Sequence, residues 1–196
     1  DAKTVVRVTK SDIADGEELP GATIQIIDSE GNVVEEWVSE ADDESTDDVN
    51  EAIHTIEGLK TGATYTLRET VAPEGYAIAT DTTFTIDEHG KVTTTGSVTE
   101  DGVLLVEDAK TSVSVYKVDI ADGEELPGAH IQIIERVVDE AGSESERVAD
   151  EWTSVADDEE TEGVDEGVHE IVGLKNGVEY VLRETVAPEG YTIATD

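Results

Sequence analysis

The chain has 196 residues, with 49 acidic against 12 basic side chains and a formal net charge of −37. Such a charge repels nucleic acid and anionic membrane surfaces, which excludes both as partners. Cysteine is absent, so no disulfide or thiolate–metal framework staples the fold, and the length divides naturally into two domains.

Taken in order, the first half reads as strand after strand. VVRVTK starts at Val5, ATIQII at Ala22, NVVEEWV at Asn32 and HTIEGL at His54; TYTLRET follows at Thr64, TTFTI at Thr82, KVTTT at Lys91 and VLLVED at Val103. All are short, rich in β-branched residues and bounded by turn chemistry, with hairpin turns at SEGN (Ser29) and EHG (Glu88). No segment sustains a helical period. The predicted fold is all-β and is an antiparallel sandwich.

The pattern then begins again. DAKT at Asp1 returns at Asp108, DIADGEELPGA at Asp12 returns at Asp119, and LRETVAPEGY at Leu67 returns at Leu182. Identities this long define a tandem array. It has a complete repeat at 1–108 and a second at 109–196 that lacks counterparts of Phe84–Asp108. The copies differ in length where ERVVDEAGSESERVADEW, starting at Glu135, replaces DSEGNVVEEW, starting at Asp28. Asp1 reads as the end of a preceding copy, and the whole as a piece of a longer protein. The short junction at Ala109 and Lys110 predicts a stiff string of beads.

Two acidic runs, ADDESTDDVNEA from Ala41 and ADDEETEGVDEG from Ala156, lack the ligand spacing of a calcium loop and read as solvated, mobile loops. His54 and His169 correspond between copies, whereas His89 and His130 do not. None has metal-ligand spacing, so they read as polar strand or loop residues. Trp37 and Trp152 correspond as packing residues, and Pro73 and Pro188 as turn residues. There is no nucleophile–base–acid triad and no phosphate loop. No metal, no cofactor and no turnover of an external substrate are expected.

Strand alternation puts charge among apolar side chains. Lys10 shares a face with Val6 and Val8, as Lys117 does with Val113 and Val115. Glu69 aligns with Tyr65 and Leu67, and Glu184 with Tyr180 and Leu182. In the last strand Asp108 aligns with Leu104 and Val106, while Val103, Leu105 and Glu107 form a second plausible face; the pattern alone leaves that parity open. Strand-end snorkelling or a buried ion pair is one reading. The other is chemical, because a desolvated lysine loses its proton more readily and the neutral amine is a nucleophile. It could attack a protonated carboxyl, expelling water, with a neighbouring glutamate carrying protons.

The strand VTK-x-D at Val8–Asp12, the GEELPGA turn, ETVAPEGY, FTIDEHGKV at Phe84–Val92 and LLVEDA at Leu104–Ala109 together resemble the Cna B-type repeats of Gram-positive collagen adhesins and SpaA-like pilins. The resemblance covers the whole chain. It implies transthyretin-like, reverse-immunoglobulin sandwiches closed by a spontaneous isopeptide bond. Lys10 would be the amine, Asp108 the acceptor and Glu69 the catalytic acid/base, which also favours the Asp108 face. Lys117 and Glu184 match the family pattern in the second repeat, but their acceptor would lie beyond Asp196, supplied by following residues or by a strand from elsewhere.

The expected role is a structural stalk of an extracellular, wall-anchored adhesin or pilin. Its partners are neighbouring repeats, with host matrix or glycan bound through another domain. Two alternatives are a ligand-binding module using the acidic loops or the longer hairpin, and a strand-capturing ligation module in the second repeat.

Overall fold

The computed structural model describes residues 2–46, 49–139, 141–158 and 160–196. Asp1, Glu140, and the parts of the acidic runs at Asp47, Asp48 and Glu159 lie outside the described residues, as does the reading of Asp1 as the end of an earlier copy.

In the first compact unit, Asp1–Thr111, the strands are β1 (Val5–Asp12), β2 (Thr23–Ile27), β3 (Val33–Val38), β4 (Ile53–Glu57), β5 (Thr64–Val71), β6 (Thr82–Ile86), β7 (Val92–Thr94) and β8 (Leu104–Asp108). They form a three-stranded sheet, β4-β1-β8, and a five-stranded sheet, β3-β2-β5-β6-β7. Each has one apolar face, as period-two alternation requires. The faces meet in a core that includes Val6, Val8, Ile24, Ile26, Leu67, Phe84, Leu104 and Val106. Tyr65 stacks on Phe84 at 5.4 Å between ring centroids. No helix occurs among the described residues.

One pairing departs from the antiparallel expectation. β8 runs parallel to β1, with Lys10 opposite Val106 and Asp12 opposite Asp108. Parallel neighbours need a long crossover, and first and last strands have the whole unit between them to supply it.

The turns follow from local chemistry. At Asp28–Asn32 the Asp28 carboxylate accepts the amides of Glu30 and Asn32, each at 2.9 Å. Asp87 does the same for His89 and Lys91, each at 2.8 Å. The described parts of the acidic runs are hydrogen-bonded rather than merely solvated. The Asp42 amide donates to Glu18 at 2.8 Å, and that of Asp157 to Glu125 at 2.8 Å. Trp37 on β3 lies flat on His54 of β4 at 4.3 Å, so an aromatic stack joins the two sheets along one side.

The second unit, Ser112–Asp196, contains β9 (Ser112–Tyr116), β10 (His130–Val138), β11 (Glu144–Thr153), β12 (Val168–Val172) and β13 (Tyr180–Val186). β12 pairs with β9, and β10 lies between β11 and β13. The aromatic stack recurs as Trp152 on His169 at 4.1 Å. β3 and β11 are the acid-bearing outer strands of their sheets, carrying Glu35 and Glu36, and Glu144, Glu146, Asp150 and Glu151.

Phe84 is the only phenylalanine and is 1% exposed. Phe84→Ala is expected to destabilise the first unit by about 3–5 kcal/mol through the cavity it leaves. Denaturant unfolding would show this as a lower midpoint at unchanged slope; a loss below about 1 kcal/mol would mean the sheets do not close around this ring.

Candidate functional site: a buried lysine between two carboxylates

Lys10, Glu69 and Asp108 come from three strands and meet inside the first unit. Lys10 follows Val6 and Val8 on the inward face of β1. Glu69 follows Tyr65 and Leu67 on β5, beside an irregularity in the β2–β5 register between Thr23 and Ile24. Such an irregularity re-aims neighbouring side chains. Asp108 follows Leu104 and Val106 on β8, so the inward face of that strand is the Asp108 face. Glu107, on the alternative face, is half-buried.

Lys10 Nζ lies 2.7 Å from Asp108 Oδ1 and 3.8 Å from Glu69 Oε1, and all three side chains are 0% exposed. The amine also donates to the Val106 carbonyl at 3.3 Å, which ties it to the strand bearing Asp108. Glu69 Oε2 accepts the Ala79 amide at 2.7 Å. Glu69 Oε1 and both Asp108 oxygens have no partner of hydrogen-bond geometry, even with the amine so close to Oδ1. The Glu69 carboxyl is raised to about 7: burial raises it most, the Ala79 amide and the Lys10 amine oppose that, and Asp108 adds to it. The trio therefore sets an amine against one carboxyl and within 4 Å of a second whose pKa is raised to about 7.

The family model for the SpaA prealbumin-like fold domain matches residues 4–100 and again 111–196. The chain belongs to the SpaA prealbumin-like domain family. The Bacillus anthracis TIE protein is similar to it at 27% identity over 100% of this chain and 30% of that one, with a TM-score of 0.40. A streptococcal ancillary pilin is similar at 21% identity over 98% of this chain and 56% of that one, with a TM-score of 0.42. The shaft pilin SpaA of Lactobacillus rhamnosus GG is similar at 16% identity over 99% of this chain and 91% of that one, with a TM-score of 0.38. The chain thus spans well under two thirds of the first two proteins. No curated protein sequence matches it.

The second SpaA-type domain assembles part of the same arrangement. Lys117 Nζ is 3.2 Å from Glu184 Oε1, with the lysine side chain 19% exposed and the glutamate 4%. Glu184 Oε2 accepts the Ala194 amide at 2.5 Å, as Glu69 does that of Ala79. Among the described residues, no strand lies on the free edge of β9, and none brings a carboxyl to the place that Asp108 holds in the first domain. Also among the described residues, no group of His, Asp or Glu is arranged to hold a metal ion.

Two contacts escaped the sequence reading. The Ala79 amide is backbone and leaves no side-chain signature. Tyr76 and Asp12 form a hydrogen bond at 3.0 Å, and their only sequence trace is that both return, as Tyr191 and Asp119, inside the long identities.

The raised Glu69 carboxyl has a sign that denaturation can read. Between the ordinary value of 4.5 and about 7, the folded state holds a proton that the unfolded state releases, so folding stability falls as pH rises through that window. A Lys10→Met variant removes the amine without freeing Glu69 from burial. Its stability is expected to fall more steeply across the window than that of a Lys10→Met/Glu69→Gln variant; parallel curves in urea titrations would contradict the assignment.

Proposed function

We propose that this chain is a length of structural stalk from a Gram-positive surface adhesin or pilin, and that its first domain closes a Lys10–Asp108 isopeptide bond by itself. One observation carries the reading: a lysine amine and an aspartate carboxyl at 2.7 Å, both fully buried, with a glutamate within 4 Å. Membership of the SpaA domain family supports it. Residues 1–108 are the complete repeat and 109–196 the second.

The chemistry follows from desolvation. Buried charges with unsatisfied oxygens are costly, and an apolar core favours the neutral amine and the protonated carboxyl over the ion pair. Glu69 takes a proton from the Lys10 ammonium. The amine then attacks Asp108 Cγ: the C–N bond forms, the C–OH bond breaks, the hydroxyl leaves as water with the proton returned by Glu69, and Glu69 takes the second proton from the nitrogen, ending as the neutral acid beside a neutral amide N–H. The product amide carries no charge. Packing holds the reactants in place, and such fixed intramolecular pairs reach effective molarities of about 10⁵ M or more. The event is a single turnover, so the protein is not an enzyme acting on a substrate.

Mechanics connects this bond to function. Load enters at the start of β1 and leaves at the end of β8, so the parallel β1–β8 pair is sheared along its length. A covalent tie between Lys10 and Asp108 sits across that pair and shields the chain between them from force. This suits an extracellular, wall-anchored stalk whose partners are neighbouring repeats, with host matrix or glycan engaged through another domain. The free β9 edge beside Lys117 and Glu184 favours a second reading for the second domain. There an acceptor-bearing strand, from following residues or from another chain, would add to β9 by β-augmentation.

Intact-mass measurement decides the first reading. Wild type is expected to weigh one water molecule less than its sequence. Lys10→Ala or Asp108→Ala should restore that mass after allowing for the substitution, and Glu69→Ala should prevent or greatly slow the loss; a full-mass wild type ends the proposal. In single-molecule pulling across the first domain, the stretch between Lys10 and Asp108 should stay folded in wild type and unravel in Lys10→Ala. For the second domain, an SDS-resistant adduct with a peptide spanning Gly102–Thr111 should form and should require Lys117; no adduct at high peptide concentration would dismiss strand capture.

A further inference from the structure

Nothing in the crosslinking trio itself calls for Tyr76 or Asp12, yet both domains build the same link from them to the glutamate. Beyond Glu69 the chain leaves β5 and turns through Ala72–Tyr76. Gly75 adopts φ +86° there, a conformation that favours glycine. The Tyr76 amide closes the turn on the Pro73 carbonyl at 3.1 Å, and the Tyr76 hydroxyl donates to Asp12 Oδ2 at 3.0 Å. Asp12 is a firm anchor: it is 2% exposed, its Oδ1 accepts the Ala14 amide at 2.8 Å, and Lys110 Nζ approaches Oδ2 at 3.6 Å. Farther along the same loop, the Ala79 amide reaches back to Glu69 Oε2 at 2.7 Å.

The second domain repeats the tyrosine–aspartate and amide–glutamate links. Gly190 has φ +89°, the Tyr191 hydroxyl donates to Asp119 Oδ2 at 2.8 Å, and the Ala194 amide holds Glu184 Oε2 at 2.5 Å. These contacts form there with no described strand in the acceptor position. The glutamate is thus held in place independently of the acceptor.

We propose that the Tyr76–Asp12 hydrogen bond makes Tyr76 a positioning residue for crosslinking: it pins the loop that presents the Ala79 amide, which fixes one Glu69 oxygen and leaves the other facing Lys10. This rests on the crosslink proposed above. A carboxyl that must take a proton from the amine and return it to the departing hydroxyl works best with one oxygen tethered and the other free. The ionisable groups facing Glu69 are Lys10 from β1 and Asp108 from β8; its β2 partner, Ile24, is apolar, and the loop contributes the Ala79 amide. That amide opposes protonation of Glu69, so a slackened loop lets the carboxyl hold its proton to higher pH.

The test uses the full chain, assembled by joining peptide segments in denaturant so that no bond forms beforehand. It is folded by dilution at a series of pH values, and acid-quenched samples are weighed. Tyr76→Phe should slow the loss of water by roughly tenfold or more and move the midpoint of the rate–pH profile upward. Ala79→Pro, which deletes the donor and leaves the tyrosine intact, should move the midpoint the same way. If wild type loses no water, the crosslink itself fails. If wild type loses water and Glu69→Ala does not, while Tyr76→Phe keeps the wild-type rate and midpoint, the positioning role is overturned and the crosslink stands. Uniform slowing at every pH with an unmoved midpoint also overturns it, as does an Ala79→Pro midpoint equal to wild type.

Discussion

Three ionisable side chains enclosed in an apolar core set the terms for the first domain. Lys10, Glu69 and Asp108 arrive on strands of two different sheets, and each ends an otherwise hydrophobic stripe. A core that bears such a group must supply partners or lose several kcal/mol. Here the partners are one another, the Val106 carbonyl and the Ala79 amide, and three oxygens are still left without proper hydrogen bonds. The parallel β1–β8 register and the irregularity beside Glu69 make sense as geometry serving this encounter.

The arrangement separates what must be prepared from what must arrive. The lysine–glutamate pair and the loop that steadies the glutamate occur in both domains, whereas the aspartate of the first enters on its last strand. The trio is therefore incomplete until the last strand of the sandwich brings in Asp108. The segment after β8 is also engaged. Ala77 and Thr111 donate amides to the carbonyls of Ala109 and Gly75, each at 2.9 Å. The turn that steadies Glu69 therefore also grips the chain where it leaves β8.

Much of this was legible in the sequence, and the exceptions have physical causes. Alternation is a local signal, so Val6, Val8 and Lys10, and Tyr65, Leu67 and Glu69, declare their shared faces without any knowledge of partners. β8 offers two stripes of equal apolar character, and only the packed core distinguishes Leu104 and Val106 from Val103 and Leu105. The parallel pairing of β1 with β8 depends on the path of the intervening chain, which alternation does not encode. The Trp37–His54 and Trp152–His169 stacks join residues on different strands, so spacing reveals the copies and not the contact. The acidic runs look like solvated loops by composition, but several carboxylates are engaged by backbone amides, which composition cannot show.

The placement of acid on the outer strands has a further consequence. Unpaired strand edges are templates for unwanted association, and β3 and β11 present such edges with carboxylates along them. Most of the few cations are committed to ties within a domain, among them Arg68 with Asp81, Arg147 with Glu135 and Arg183 with Glu146. Little positive charge remains to neutralise a neighbour. Two such flanks brought side by side repel, more strongly as ionic strength falls, so the acid-bearing edges resist pairing with one another.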